Sequence, residues 1–186
     1  MSITIEPAQC PEQFEAGRQM FSAYAAFLGL DLEFQDFSSE LASLATMYGS
    51  PRGALLLASL KGSPVGAVGL REFEPGVAEM KRMYVLPHHQ GTGVGKALVE
   101  ALLARADAMG YGLVRLDTIP ELDRAIRLYR KFGFREIGPY RYNPHPNAVF
   151  MECALPIGQP DRYKEGASVS LKTRFERPFS QATVDV

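Results

Sequence analysis

The amino-acid pattern predicts an α/β (α+β) domain with a mixed, mostly antiparallel central sheet and helices on both faces. Three observations carry this. Short apolar runs follow one another across tight turns over 53–86, as hairpin strands do. Apolar residues recur at helical spacing before and after those runs, over 11–28, 94–105 and 121–132. Between the run at 77–86 and the helix from 94 lies a glycine-dense loop, Pro87 to Lys96, which makes a strand–loop–helix unit.

Taken in order, Ile3 and Ile5 alternate with polar neighbours and predict a strand over 2–6. Pro11 suits a first helical turn; Phe14, Met20, Phe21, Tyr24, Phe27 and Leu28 follow at helical spacing, and Gly29 is the stop. A second helix is expected after Phe37-Ser38-Ser39-Glu40, with a serine cap and with Leu41, Leu44, Ala45 and Tyr48 on one side. Phe27, Phe34 and Phe37 read as core in this pattern, with the shaping of an acceptor pocket as the alternative. Strands over 53–60 and 65–74 flank the turn Lys61-Gly62-Ser63-Pro64. In the strand over 77–86 the apolar parity changes, from Ala78 and Met80 to Met83 and Val85. Either a β-bulge around Lys81 and Arg82 or a strand covered on both faces accounts for this. After the loop, Val94, Ala97, Leu98, Ala101, Leu102 and Arg105 form a helical stripe. Leu113–Asp117 is a buried-type strand. Glu121–Phe132 is a helix with Leu122, Ala125, Ile126, Leu128 and Tyr129 inward and Gly133 just past its end. Two last strands, 134–138 and 147–155, flank a proline-rich loop containing Tyr140, Tyr142, Asn143 and His145.

Composition narrows the function. Twenty basic against 21 acidic residues give a net charge of −1, with no electrostatic footprint for nucleic acid. No apolar run approaches the roughly 18 residues of a membrane span, and the start lacks a secretory pattern, so a cytoplasmic protein is expected. Cys10 and Cys153 read as small apolar side chains or, alternatively, as a disulfide pair; with His88, His89 and His145 they form no metal set. Against a domain of about 150 residues, 186 leave a surplus. It lies after residue 155, which predicts a domain over 1–155 and an extension over 156–186, whose most orderable part is Val169–Phe175.

A strand, a glycine loop and a helix start are suited to phosphate, because free N–H groups and the helix dipole both favour an anion. The P-loop pattern fails, since Gln90 stands where its first glycine belongs and Ala97 where Ser or Thr belongs. The dinucleotide pattern fails at Lys96. What is present is Gln-x-x-Gly-x-Gly, with Gln90, Gly93 and Gly95. That segment resembles the coenzyme A loop of the GNAT-type N-acetyltransferases. The resemblance spans roughly 3–155 in element order and includes Leu128-Tyr129-Arg130-Lys131-Phe132-Gly133-Phe134, similar to the family's Leu-Tyr-x-x-x-Gly-Phe segment.

The resemblance implies transfer of an acetyl group from acetyl-CoA to a primary amine of a small molecule or protein, by direct transfer in a ternary complex and without a metal. The loop Gln90, Gly91, Thr92, Gly93, Val94, Gly95 and Lys96 is expected to hold the pyrophosphate by backbone geometry rather than by a basic surface. Met83, Tyr84 and Val85 are expected to pair with the pantetheine arm. Glu79, eleven residues before Gln90, matches the family's catalytic glutamate in placement and is expected to be the base. Tyr129 is expected to be the acid, since a phenol stays protonated at neutral pH. The family's asparagine seven residues earlier is Leu122 here. Asp117 and Thr118 either line the cleft or cap the next helix. Dimers are frequent in the family, so a homodimer is expected. A non-catalytic acyl-CoA sensor and a nucleotide-binding protein are the alternatives.

Overall fold

A computed structural model describes residues 3–156. The expected extension, with Val169–Phe175, lies outside the described residues. Seven strands form one sheet: β1 (Ile3–Pro7), β2 (Ala54–Leu60), β3 (Ser63–Glu74), β4 (Val77–Val85), β5 (Leu113–Thr118), β6 (Arg135–Ile137) and β7 (Val149–Ala154). Their order is β1-β2-β3-β4-β5-β7-β6. Every pairing is antiparallel except β4 with β5.

Helices cover both faces, and strand parity assigns each side. Leu56 and Ala58 of β2 join a cluster with Leu98, Val99 and Leu102 of α4 (Val94–Ala108) and with Ile126 and Tyr129 of α5 (Asp123–Lys131). Leu55 and Leu57 point the other way, to Phe21 of α1 (Pro11–Leu28) and to Leu44 and Tyr48. The buried face of α4 is centred on Leu98, Val99, Leu102, Leu103 and Ala106 rather than on the expected stripe with Ala97 and Arg105. A helix lying across four strands selects its face by contact with the sheet, which periodicity locates only to within part of a turn.

The expected second helix is broken into α2 (Phe37–Ala42) and α3 (Leu44–Met47). Ser43 leaves helical geometry at φ −125°, and its hydroxyl donates to the Ser39 carbonyl at 2.6 Å. Such local bonding is how serine competes with a continuous helix. No serine caps α2; its N-cap is Asp36, in the left-handed region. Gly29 closes α1 at φ 63°, as expected. Cys10 and Cys153 are both free thiols.

Both readings of the β4 pattern hold together. Ala67 faces Tyr84 and Gly69 faces Lys81, so Arg82 and Met83 jointly oppose Val68. Arg82 sits at φ 54°, unusual for a residue with a Cβ. Before the bulge Ala78 and Met80 face the α4 side; after it Val85 does. The strand is also buried on both faces nearly throughout. The strained arginine is held by a buried ion pair: its Nη2 lies 2.7 Å from Glu40 Oε2, and Glu40 also accepts from the Tyr48 hydroxyl at 2.6 Å. The Phe37 ring lies 4.9 Å from the guanidinium. Glu40→Ala is expected to destabilise the fold by about 3–5 kcal/mol, because it strands a buried cation. Arg82→Met on top of it should recover part of the loss. Thermal unfolding of the two single variants and the double variant measures this, and strictly additive losses would mean that the pair is not coupled.

Candidate active site

Strands β4 and β5 pair only over Val77–Glu79 and Leu113–Arg115. Beyond that point each follows its antiparallel neighbour, β4 staying on β3 to Val85 and β5 on β7 to Thr118. The sheet therefore opens as a wedge, and among the described residues the edge of β4 over Met80–Val85 has no strand opposite it on that side. Unpaired strand groups of this kind accept an extended ligand by strand addition.

Two cavities enter the wedge. The larger, about 870 Å³, is lined by Met83, Tyr84 and Val85, by Gln90, Gly91, Gly93, Gly95 and Lys96 of the loop, and by Leu122, Leu128 and Tyr129. The smaller, about 290 Å³, lies under the α1–α2 connection and the loop before β7, between Leu30, Phe34 and Gln35 on one side and Asn143 and His145 on the other. They share six residues: Tyr24, Met80, Lys81, Arg82, Asp117 and Thr118.

The loop owes its shape to its glycines. Gly91 and Gly93 have φ of 79° and 93°, and Gly93 is the N-cap of α4. The first N–H groups of α4 have no carbonyl to meet within the helix, so they are available to an anion. Gln90 acts on the loop itself: its side-chain amide donates to the Val85 carbonyl at 3.1 Å and ties loop to strand. Thr92 and Val94 do not line the cavity. The Thr92 hydroxyl bonds the His89 carbonyl and Val94 is in the core, which leaves them only backbone contributions. Lys96, Arg124, Arg127 and Lys131 line the larger cavity among Asp117, Glu121 and Asp123. Arg127 is paired with Asp123 at 2.7 Å. Basic side chains therefore stand beside the backbone cradle on this lining, four against three carboxylates. Gly93→Ala adds a Cβ that meets nothing within 4 Å, so its cost is backbone strain alone. About 1–2 kcal/mol of strain corresponds to roughly 5- to 30-fold weaker coenzyme A binding by calorimetry; unchanged affinity would show that the left-handed turn is not needed.

The structure places Tyr129 on α5 with its ring against Phe134 and its side chain lining the larger cavity, only 5% exposed. Burial raises its pKa, with a smaller contribution from Tyr24, so the phenol stays protonated. Tyr24 lines both cavities, and burial pushes its pKa up to about 12. Helical spacing alone cannot tell a residue facing the sheet, as Phe21 does, from one facing a gap in it.

Glu79 is placed differently from the expectation. It is fully buried and lines neither cavity. One carboxylate oxygen accepts from Arg71 Nε and Nη2 at 3.0 and 2.8 Å, the other from Arg141 Nη1 at 2.8 Å and the Tyr140 hydroxyl at 3.0 Å. Burial alone would raise its pKa, but Lys81, Arg141 and Arg71 outweigh burial and hold it at about 2. A carboxylate engaged on both oxygens and so weakly basic is poorly suited to take a proton at neutral pH.

The polar groups at the shared wall are others. Lys81 Nζ donates to Gln35 Oε1 at 2.8 Å and to Asp117 Oδ1 at 3.3 Å. Asp117 Oδ2 accepts from Gln35 Nε2 at 3.1 Å and from Asn143 Nδ2 at 2.8 Å. Asp117 thus lines the cleft. Asn143 serves two ends, since its Oδ1 also accepts the His145 N–H at 3.0 Å in a local turn. Lys81 was legible only as an ion in an apolar strand, and Gln35 carried no signal. Phe27 and Phe34, 51% and 36% exposed, form with Leu30 an apolar rim at the cavities, while Phe37 packs against the core on the α1 side.

Known proteins share this fold. The Acetyltransferase (GNAT) family model matches residues 18–134. An uncharacterized N-acetyltransferase of Schizosaccharomyces pombe is 37% identical over 156 residues, which is 83% of this chain and 96% of the relative. An IAA acetyltransferase of Azospirillum brasilense is 36% identical over 120 residues, covering 63% of this chain and 78% of its own. A GNAT acetyltransferase structure from Staphylococcus aureus superposes with a TM-score of 0.69 at 20% identity, covering 83% and 99% of the two chains. A Salmonella typhimurium protein solved with its cofactor acetyl-CoA superposes at 0.59 and 19% identity, over 83% and 95%. Matched over residues 18–134 by the family model and over 83% of its length by a relative 37% identical, the chain belongs to the GNAT family of acetyl-CoA-dependent N-acetyltransferases.

Proposed function

We propose that the chain transfers the acetyl group directly to the primary amine of a small molecule held in the 290 Å³ cavity while acetyl-CoA occupies the larger one. The observation that carries this is the wall common to both cavities. Two substrates entering from opposite sides meet at the β4 bulge, so neither has to leave before the other binds. A covalent acyl-cysteine has no support, because neither Cys10 nor Cys153 lines either cavity. The size of the smaller cavity and its apolar rim favour an amine on a compact apolar body over a polypeptide chain.

The residues divide the work. The open edge of β4 orients the pantetheine arm, while the α4 N-terminus, Lys96 and Lys131 hold the phosphates. Tyr129 donates a proton to the departing thiolate. Glu79 is a fixed negative charge that locks Arg71, Arg141 and Tyr140, and through them the loop before β7 that roofs the acceptor cavity. Initial rates with acetyl-CoA and a panel of amines, followed by free thiol, should give intersecting double-reciprocal lines. Parallel lines would overturn direct transfer, and coenzyme A binding with no thiol release on any amine would return the molecule to the sensor reading.

A further inference from the structure

We propose that Lys81, as the neutral amine, is the proton acceptor that turns the acceptor's ammonium into a nucleophile. The inference rests on the acetyl-transfer reading above. Three geometric facts carry it. Lys81 is 4% exposed and lines both cavities, so it stands where amine and thioester meet. A neutral amine has two N–H bonds and one lone pair; Nζ donates to Gln35 and Asp117, and Glu79 Oε1 stands 4.0 Å away, beyond hydrogen-bond reach. The lone pair is then free to accept. Competing carboxylates are engaged: Glu79 by Arg71, Arg141 and Tyr140, Asp117 by Lys81, Gln35 and Asn143.

The charges around Lys81 suit the task. Burial lowers its pKa most; Asp117 of β5 and Glu79 of β4 oppose the shift, and Arg82 of β4 and Arg141 of the loop before β7 add to it. Glu40 of α2 partly neutralises Arg82, as Glu79 does Arg71 of β3, and Tyr24 of α1 is an uncharged phenol here. The amine is left at about 8, close to the pH at which a proton acceptor works best. The proton balance closes. Lys81 takes one proton from the substrate ammonium, whose nitrogen forms the C–N bond. As the C–S bond breaks, Tyr129 gives its proton to sulfur and regains one from the new amide nitrogen. Lys81 releases its proton to water, so one proton leaves per turnover.

The test is the pH profile of kcat/KM for benzylamine with acetyl-CoA, from pH 6.5 to 10, in the parent, Lys81→Met and Lys81→Arg proteins. The parent rate should climb and level off near pH 8. Both variants should be down by about 100-fold at pH 7 and should climb until the amine's own pKa, about 1 unit below the 10.4 of a lysine-type ammonium, so that the gap narrows steadily with pH. Arginine keeps charge and reach but cannot accept a proton, so it should not rescue. The shape of the ratio is insensitive to how much variant protein is folded. A loss that stays constant across the pH range, rescue by arginine, or no loss overturns the proposal. If the parent releases no thiol with benzylamine or with any amine of the panel, the acetyl-transfer reading itself fails, which is a different result from any of these.

Discussion

Glu79→Gln is expected to lower the thermal midpoint by about 10 °C while leaving a pH-dependent acetyl transfer intact. Glutamine keeps the shape but removes the buried anion that the half-buried Arg71 and Arg141 and the buried Lys81 share, and breaking such a set from one side costs about 3–5 kcal/mol. For a chain of this size each kcal/mol is worth roughly 2–4 °C. The parent protein should show the same charge through acid. The carboxyl sits at about 2 when folded, against 4.5 as its ordinary value. A depressed folded pKa contributes stability that is complete above about pH 4.5 and is lost as the pH falls towards 2. Linkage puts this contribution on the order of 3 kcal/mol, and the glutamine variant should lack that part of the acid sensitivity. Urea unfolding at pH 7 and pH 3 compares the two. Because the Glu79 charge favours protonated Lys81, its removal should also move the rising limb of the rate profile to lower pH. A variant of parental stability that loses the limb altogether would instead make Glu79 the base.

Tyr129→Phe is expected to reduce kcat by about 100-fold or more, with coenzyme A affinity changed by less than about twofold. Only the hydroxyl is removed. The ring keeps its contact with Phe134 at 5.8 Å between centroids. Burial holds the phenol protonated well above neutral pH, so its loss should lower the rate without adding a limb near pH 7. Thiol release measures kcat and calorimetry measures affinity. Unchanged turnover removes Tyr129 from the chemistry, and a parallel loss of affinity makes it a binding residue.

These two residues mark what pattern can and cannot reach. Tyr129 was legible because the segment from Leu128 to Phe134, the end of α5 and the three residues after it, is contiguous in sequence and resembles the family's Leu-Tyr-x-x-x-Gly-Phe segment. Glu79 was legible as a carboxylate on the right strand, but its partners come from β3 and from the loop before β7, eight and 61–62 residues away. Those partners decide whether it can take a proton. The bulge shows the favourable case. The parity change between Met80 and Met83 is local, and it pointed to a bulge around Lys81 and Arg82, with a strand covered on both faces as the alternative. What Arg82 pairs with is not local, since Glu40 lies 42 residues earlier.

By itself, then, the sequence determined the element order, the parity change in β4, the glycine loop at the start of α4 and the Leu-Tyr segment of α5. All of these are properties of contiguous residues, governed by periodicity, turn chemistry and backbone freedom. Only the tertiary structure decided where the sheet opens, which ions share that opening, and how a chain of net charge −1 gathers Lys96, Arg124 and Lys131 on one rim. The reason is physical. Pairing geometry and burial depend on which distant segments meet, and burial together with neighbouring charge sets whether Glu79 stays a fixed anion and Lys81 can take up a proton.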